Sequence, residues 1–479
     1  MKMDLRDFIK KCEEHGQLKR VKKEVDWNLE LSHVAKINEE KKGPALLFEN
    51  VKGYKNPVLT SAYSTKERFA IALGLPVGTS MCEMSRHWME LATKELIPPN
   101  YVDSGPVLEN VIEGNNINLF DIPVPFMYPK DGGRFFGTAV YLVTKDPDTG
   151  WVNLGTYRGM ILDEKSVGLQ LIKGKHAEIM LRQYGERGEK MPVLYVIGGD
   201  PLGFLTGSSP TMGQVSELDV MGALRGEPID VIKEEITGLP MDATAEIVLA
   251  GFVDPNPENF RKEGPFGEYT GYYSGKKSDE WPKPWIDVKR VYMRNDYIFW
   301  STTVGKPITD THMIQSLNRT ATLWTDLMTM KIPGIQSVFI PPESTGRFWA
   351  IVSVKQMYPG HAQQVADAVM ASYTGHYGLK GIIVVDDDIP ADDWDKVMWA
   401  LSTRYNPIED TQLIKKARST PLDPSLPIWE DYMDRRSLVS RIQMIATIPF
   451  EWKRKPMEIF LDEEMKKKVL DNWDEYGLD

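Results

Sequence analysis

Apolar residues recur at near-helical spacing over residues 4–15, and Pro44-Ala45-Leu46-Leu47-Phe48 is a short apolar run of the kind that buries as a strand. The first hundred residues therefore mix helix and strand. Ile97-Pro98-Pro99-Asn100 marks a boundary or crossover, because prolines punctuate regular structure. From about residue 106 the pattern turns to β, with strands expected at Gly137–Thr144, Val152–Leu162, Val193–Gly198, Ala245–Val253, Trp285–Met293 and Tyr297–Thr303. Turn signals such as Asp146-Pro147-Asp148-Thr149-Gly150 and Asp254-Pro255-Asn256-Pro257 separate them. One helix interrupts: Val215, Leu218, Met221 and Leu224 recur every third residue and Gly226 ends the run. Mostly antiparallel strands with few helices predict a barrel or curled sheet. From about residue 309 the elements alternate, with a helix at His312–Met330, a strand at Arg347–Val354, a helix near Ala362–Tyr373 and a strand at Gly381–Val385. That alternation predicts a parallel α/β layer. The expected fold is multidomain, α+β and α/β: a mixed N-terminal domain over 1–105, a central β domain over 106–308 and a C-terminal α/β domain over 309–479.

Composition narrows the class. A chain of 479 residues, 42% hydrophobic and 26% charged, has ample material for a core, and at roughly 150 residues per domain it holds two or three domains. There is no internal repeat or low-complexity linker. The net charge of −11 argues against broad nucleic-acid binding, which needs basic surface. Lys466-Lys467-Lys468 is diluted by neighbouring acids and reads as a solvated helix face. No window approaches the roughly 18 apolar residues of a membrane span, and the charged N-terminus lacks the apolar stretch of a secretory signal. With only Cys12 and Cys82, a disulfide framework or thiolate zinc site is not expected. A reducing, cytoplasmic setting is.

Four features carry candidate chemistry. In Trp151-Val152-Asn153-Leu154-Gly155-Thr156-Tyr157-Arg158, Asn153 and Arg158 interrupt a half-buried strand pattern. Arg158 reads either as an edge-strand surface residue or as a fork gripping a carboxylate or phosphate at two points. His176 and Glu217 are individually weak: a lone histidine is commonly structural, and an acid in a first helical turn simply suits the helix dipole. The strongest feature is Glu263-Gly264-Pro265-Phe266-Gly267-Glu268, which runs into Tyr269-Thr270-Gly271-Tyr272-Tyr273. Two carboxylates flank a backbone stiffened by proline, and aromatic walls would raise a carboxylate toward the range useful for proton transfer. Asn, His and Glu together would suit a divalent ion such as Mn2+. No HExxH pattern, P-loop or GxSxG elbow is present.

The run Asp146 to Arg158 and the turn Glu263 to Glu268 resemble the two signature segments of UbiD-type decarboxylases. Val384-Val385-Asp386-Asp387-Asp388, Asp393-Trp394 and Trp399-Ala400-Leu401-Ser402-Thr403-Arg404 resemble that family's C-terminal signature, and the similarity runs in order from about residue 5 to residue 450. The resemblance implies a split β-barrel that binds prenylated FMN, flanked by the N-terminal domain and by a C-terminal α/β domain making oligomer contacts, in a dimer or hexamer. It implies that Asn153, His176 and Glu217 hold Mn2+, which grips the flavin phosphate. K+ is expected near the Ser208-Ser209-Pro210 turn. Gly155, Thr156, Tyr157, Arg158 and Lys175 would line the cofactor, with Lys175 standing where some members have Gln. Arg158, Glu263 and Glu268 would form the catalytic network.

The implied reaction is reversible, non-oxidative decarboxylation of an aromatic or α,β-unsaturated acid. Prenylated FMN is the electron sink, Arg158 positions the carboxylate and Glu268 donates the proton. A flavin prenyltransferase would supply the cofactor. The region Gly305 to His312 is expected to line the pocket. Three other readings stay open: a carboxylase in the physiological direction, an ordinary FMN reductase on a similar barrel, and a non-catalytic flavin-binding subunit of a carboxylase complex.

Overall fold

The computed structural model describes every residue except 1, 94, 210–213, 274–281, 421, 427–437, 458 and 478–479. The N-terminal part begins with the helix Leu5–Glu14, which starts there because Asp4 accepts the Asp7 N–H at 2.9 Å and Asp7 accepts the Asp4 N–H in return. Its buried face is Leu5, Phe8, Ile9 and Cys12. Beside it lies a four-stranded sheet in the order Leu18–Val21, Ala45–Phe48, Val58–Thr60, Phe299–Trp300. The last strand comes from the run read as Tyr297–Thr303. It is shorter, and it pairs in parallel with Val58–Thr60 instead of joining the central sheet. A strand buried on both faces shows no alternation, so its sequence does not reveal which sheet it enters.

The central sheet is antiparallel throughout. Its path runs Phe135–Gly137, Gly159–Asp163, Ser166–Leu169, Trp285–Met293, Ala245–Val253, Met191–Gly198, Tyr141–Lys145, Val152–Gly155, with Asn110–Glu113 added beside Trp285–Met293. Register shifts at Ile197/Gly198 and Ala250/Gly251 add local twist, and the sheet curls into a half-barrel. Two predicted runs divide: Gly137–Thr144 falls into Phe135–Gly137 and Tyr141–Lys145, and Val152–Leu162 into Val152–Gly155 and Gly159–Asp163. At the second break the Thr156 N–H turns to Gly207 O (2.9 Å), and Tyr195 donates its hydroxyl to Tyr157 O (2.6 Å). Tyr157 folds back over Gly155, where a Cβ would lie 2.4 Å from the ring. Arg158 thus stands at a bend between strands.

The C-terminal sheet runs Ile335–Phe339, Trp349–Val354, Gly381–Asp386, Leu438–Ala446, Thr411–Arg418. Its three inner strands are parallel and both edges antiparallel. The helix Asp310–Thr329 joins the layers: Met313, Ile314 and Leu317 pack into the core shared with the central sheet, while Leu323, Trp324 and Leu327 pack into the C-terminal core. Lys466, Lys467 and Lys468 lie exposed on the helix Glu463–Asp471.

Candidate active site

Arg158 faces two acids from the bend. Its Nε and Nη2 donate to the two oxygens of Glu263 at 2.9 and 3.1 Å, and Nη1 donates to Glu268. Phe266 and Phe135 flank the guanidinium at 4.7 and 6.0 Å and exclude water from it. Lys283 donates to Glu263 Oε2 at 2.6 Å and to its carbonyl at 3.1 Å. Burial works to raise Glu263, but the Arg158 and Lys283 charges outweigh it and hold the carboxyl below the usual range. Glu268 goes the other way: burial, with Glu263 nearby, pushes it above its ordinary value despite Arg158. The two acids are therefore shifted in opposite directions, Glu263 toward the ionised form and Glu268 toward the protonated one. Asp131 supports the turn by accepting Gly267 N–H at 3.0 Å, and burial pushes it up to about 6.

A second cluster forms where Val152–Gly155 meets the first residues of two helices, His176–Glu186 and Glu217–Arg225. Asn153 Nδ2 lies 3.1 Å from both Glu217 oxygens and 3.3 Å from His176 Nδ1, and Leu154 N–H donates to Glu217 at 2.7 Å. Asn153 and Glu217 are fully buried, yet Asn153 Oδ1 has no hydrogen-bond partner. Burial, then Lys175, keeps His176 below its ordinary pKa and hence neutral, the form that ligates. Among the described residues no three His, Cys, Asp or Glu side chains cluster as a metal site, and here the third group is an amide. An orphaned amide oxygen, a neutral imidazole and a buried carboxylate nevertheless fit a divalent ion that accepts mixed O and N ligands. Nearby, Thr156 Oγ1 meets Ser208 Oγ at 2.9 Å, and the Ala177 N–H donates to Tyr157 Oη at 3.2 Å. Pro210 of the expected K+ turn lies outside the described residues.

Lys175, exposed at the start of the helix His176–Glu186, is partly desolvated by the chain around it, and this, followed by the charges of Arg347, Arg319 and Arg418, pulls it down to about 8. His312 is fully buried. Its Nδ1 accepts the Thr309 N–H at 3.0 Å, so its Nε2 carries the proton given to Tyr269 O at 2.5 Å. Sequence reasoning missed Lys283, Asp131, Arg319 and Arg347. A lysine between two prolines, Pro282-Lys283-Pro284, was the one local signal.

Models of three 3-octaprenyl-4-hydroxybenzoate carboxy-lyase domains match the chain in order: the N-terminal domain at residues 9–88, the Rift-related domain at 100–307 and the C-terminal domain at 312–441. Vanillic acid decarboxylase of Sedimentibacter hydroxybenzoicus, in its open form, is 30% identical, with a TM-score of 0.87 over 98% of this chain and 99% of that one. The UbiD-class enzyme HmfF of Pelotomaculum thermopropionicum in complex with FMN is 28% identical, with a TM-score of 0.87 over 98% and 100%. An evolved dimeric form of HmfF in complex with prFMN is 28% identical, with a TM-score of 0.80 over 96% and 99%. Matches to all three domains, in sequence order and over nearly the whole chain, place this protein in the UbiD family of carboxy-lyases, whose solved members include decarboxylases.

Proposed function

We propose that this chain decarboxylates an aromatic or α,β-unsaturated carboxylic acid, reversibly and without oxidation, using prenylated FMN held through Mn2+. The observation that carries this reading is the buried Arg158 bonded by both Glu263 and Glu268, two acids whose surroundings pull their proton affinities in opposite directions. Arg158 holds the substrate carboxylate and orients the bond to be broken. Glu263 and Lys283 fix the guanidinium in place. Once CO2 has left, Glu268 delivers its proton to the carbon that carried the carboxylate. Because Arg158, Glu263 and Glu268 interact strongly, they titrate as a set. Asn153, His176 and Glu217 would hold the metal, which grips the flavin phosphate, with Gly155, Thr156, Tyr157 and Lys175 lining the cofactor and K+ near Ser208 and Ser209. Prenylated FMN, when bound, supplies the electron sink for C–C cleavage that no side chain supplies. A homo-oligomer built through the C-terminal part belongs to this reading, since Ile459, Phe460 and Leu461 stand exposed there.

The test is mass spectrometry and absorbance on protein co-expressed with a flavin prenyltransferase, with manganese quantified and CO2 release screened across aromatic acids. Prenylated FMN with stoichiometric metal and CO2 release is expected. Plain FMN that turns over NAD(P)H would overturn the proposal.

A further inference from the structure

The loop ahead of Phe135–Gly137 fastens itself to the Glu263–Glu268 turn through hydrogen bonds. Asp131 Oδ1 accepts the Gly267 N–H at 3.0 Å, the Gly132 N–H donates to Pro265 O at 2.8 Å, and the Lys130 N–H donates to Tyr273 Oη at 3.2 Å. The other Asp131 oxygen accepts the Tyr128 N–H at 3.1 Å, so the carboxylate ties its own loop to the turn. Gly267 is also closed in by a ring, since a Cβ there would lie 3.0 Å from Tyr128 Cδ2.

Asp131 is 7% exposed and forms no ion pair among the described residues. Arg158 lowers it only through its field, and burial prevails, pushing the carboxyl up to about 6. A buried carboxylate without a counter-ion is costly unless N–H groups satisfy it. Here they do, and one of them belongs to the residue just before Glu268. The Glu263 carboxyl is held by Arg158 and Lys283, whereas Glu268 is held by Arg158. In the proposed reaction Arg158 must also take the substrate carboxylate, so the backbone has to keep Glu268 in line.

We propose that Asp131 is a positioning residue for the proton donor: by holding the Gly267 N–H it keeps the Glu268 carboxyl within reach of the carbon that loses CO2. This deepens the decarboxylase reading and rests on it. In that reaction the C–C bond breaks and CO2 leaves. The electron pair stays with the carbon and takes the Glu268 proton, which solvent restores. Exchange of the substrate carboxylate with dissolved CO2 only breaks and remakes the C–C bond and uses no proton. Asp131 therefore acts on release of the protonated product and not on exchange.

Flavin-loaded wild type, Asp131→Leu and Asp131→Asn are compared for net CO2 release and for exchange of labelled CO2 into the substrate. Both replacements are uncharged and near Asp in shape, but Asn keeps an acceptor oxygen and Leu has none. Asp131→Leu should lower kcat for release by about 10–100-fold, with KM, flavin content and exchange within about 3-fold of wild type. Asp131→Asn should recover most of that loss. Release and exchange that fall together overturn the inference, as does a Leu variant that releases CO2 as fast as wild type. Should Asp131→Leu not fold, Asp131→Ser, whose hydroxyl stops short of Gly267, takes its place. If wild type neither releases nor exchanges CO2 with any acid, the decarboxylase reading fails on its own. Infrared titration of the Glu268 C=O stretch, taken as the difference from Glu268→Gln in each background, then judges Asp131. Arg158, Glu263 and Lys283 act on Glu268 in every background, so a carboxyl freed from its buried place shows a midpoint shifted down in Asp131→Leu but not in Asp131→Asn. Equal midpoints in the two variants overturn the inference.

Discussion

Glu263 and Glu268 flank one short turn, yet their surroundings pull their proton affinities apart: Arg158 and Lys283 both bond Glu263, whereas burial and the nearby Glu263 charge raise Glu268 against Arg158. Lys283 bonds Glu263 and lowers Glu268 through its field. Glu268→Gln removes the mobile proton while keeping the shape, so turnover should fall by about 100-fold or more with flavin and metal retained; near-wild-type CO2 release would remove Glu268 as the donor. Lys283→Met removes a positive charge that lowers both acids. Activity needs Glu263 ionised and is lost as pH falls through its pKa. It needs Glu268 protonated and is lost as pH rises through its pKa. Both limbs of the kcat/KM profile should therefore move to higher pH in the variant, and an unmoved or downward-shifted profile would contradict these roles. Lys283 was not legible in the sequence because its importance comes from a partner brought close by the pairing of Arg261–Lys262 with Pro282–Lys283. Arg158 and the two acids were legible because unusual residue types crowd their own short segments.

Element by element, sequence periodicity located the long central strands well, with Ala245–Val253 and Trp285–Met293 as expected. It failed where function bends the chain. Val152–Leu162 reads as one strand because Thr156 and Tyr157 are good strand formers set between two apolar runs, whereas the backbone there leaves the ladder for Gly207 and the Tyr195 hydroxyl. His176 and Glu217 each open a helix, and only the packing of both helices on Val152–Gly155 makes a site from two weak signals. Glu217→Gln should lose manganese and flavin together with little change in fold; full manganese by elemental analysis would exclude Glu217 as a ligand. The Glu263 turn is pressed against Gly132, where a Cβ would sit 1.9 Å from Gly264 O. Gly132→Ala forces that backbone apart, so it should cost about 1–3 kcal/mol, lower Tm and cut activity in parallel.

Across the whole molecule the N-terminal part meets the catalytic layers through a buried acid pair. Glu39, on the helix Glu30–Glu40, accepts Ser61 Oγ at 3.0 Å and Thr303 Oγ1 at 2.5 Å, with Lys36 Nζ 3.9 Å away. Asp310, first residue of the helix that joins the two cores, accepts the Tyr63 N–H at 3.0 Å and has Arg68 in its field, while its Oδ2 is buried without a partner. Burial, followed by the charge of Asp310, pushes Glu39 up to about 8, and burial pushes Asp310 up to about 6. An acid whose proton is held more tightly in the folded chain destabilises the fold as pH rises, because the unfolded chain then releases the proton more readily. Stability should therefore decline from about pH 4.5, the ordinary Glu value, up to about 8. Glu39→Gln keeps an acceptor for Ser61 or Thr303 but carries no titrating proton. Each pKa unit is worth about 1.4 kcal/mol, so the variant should match wild type near pH 5 and exceed it by more than about 1 kcal/mol at pH 8. Tm against pH for both proteins is the measurement, and curves that stay parallel from pH 5 to pH 8 would show that Glu39 is already ionised in the folded chain.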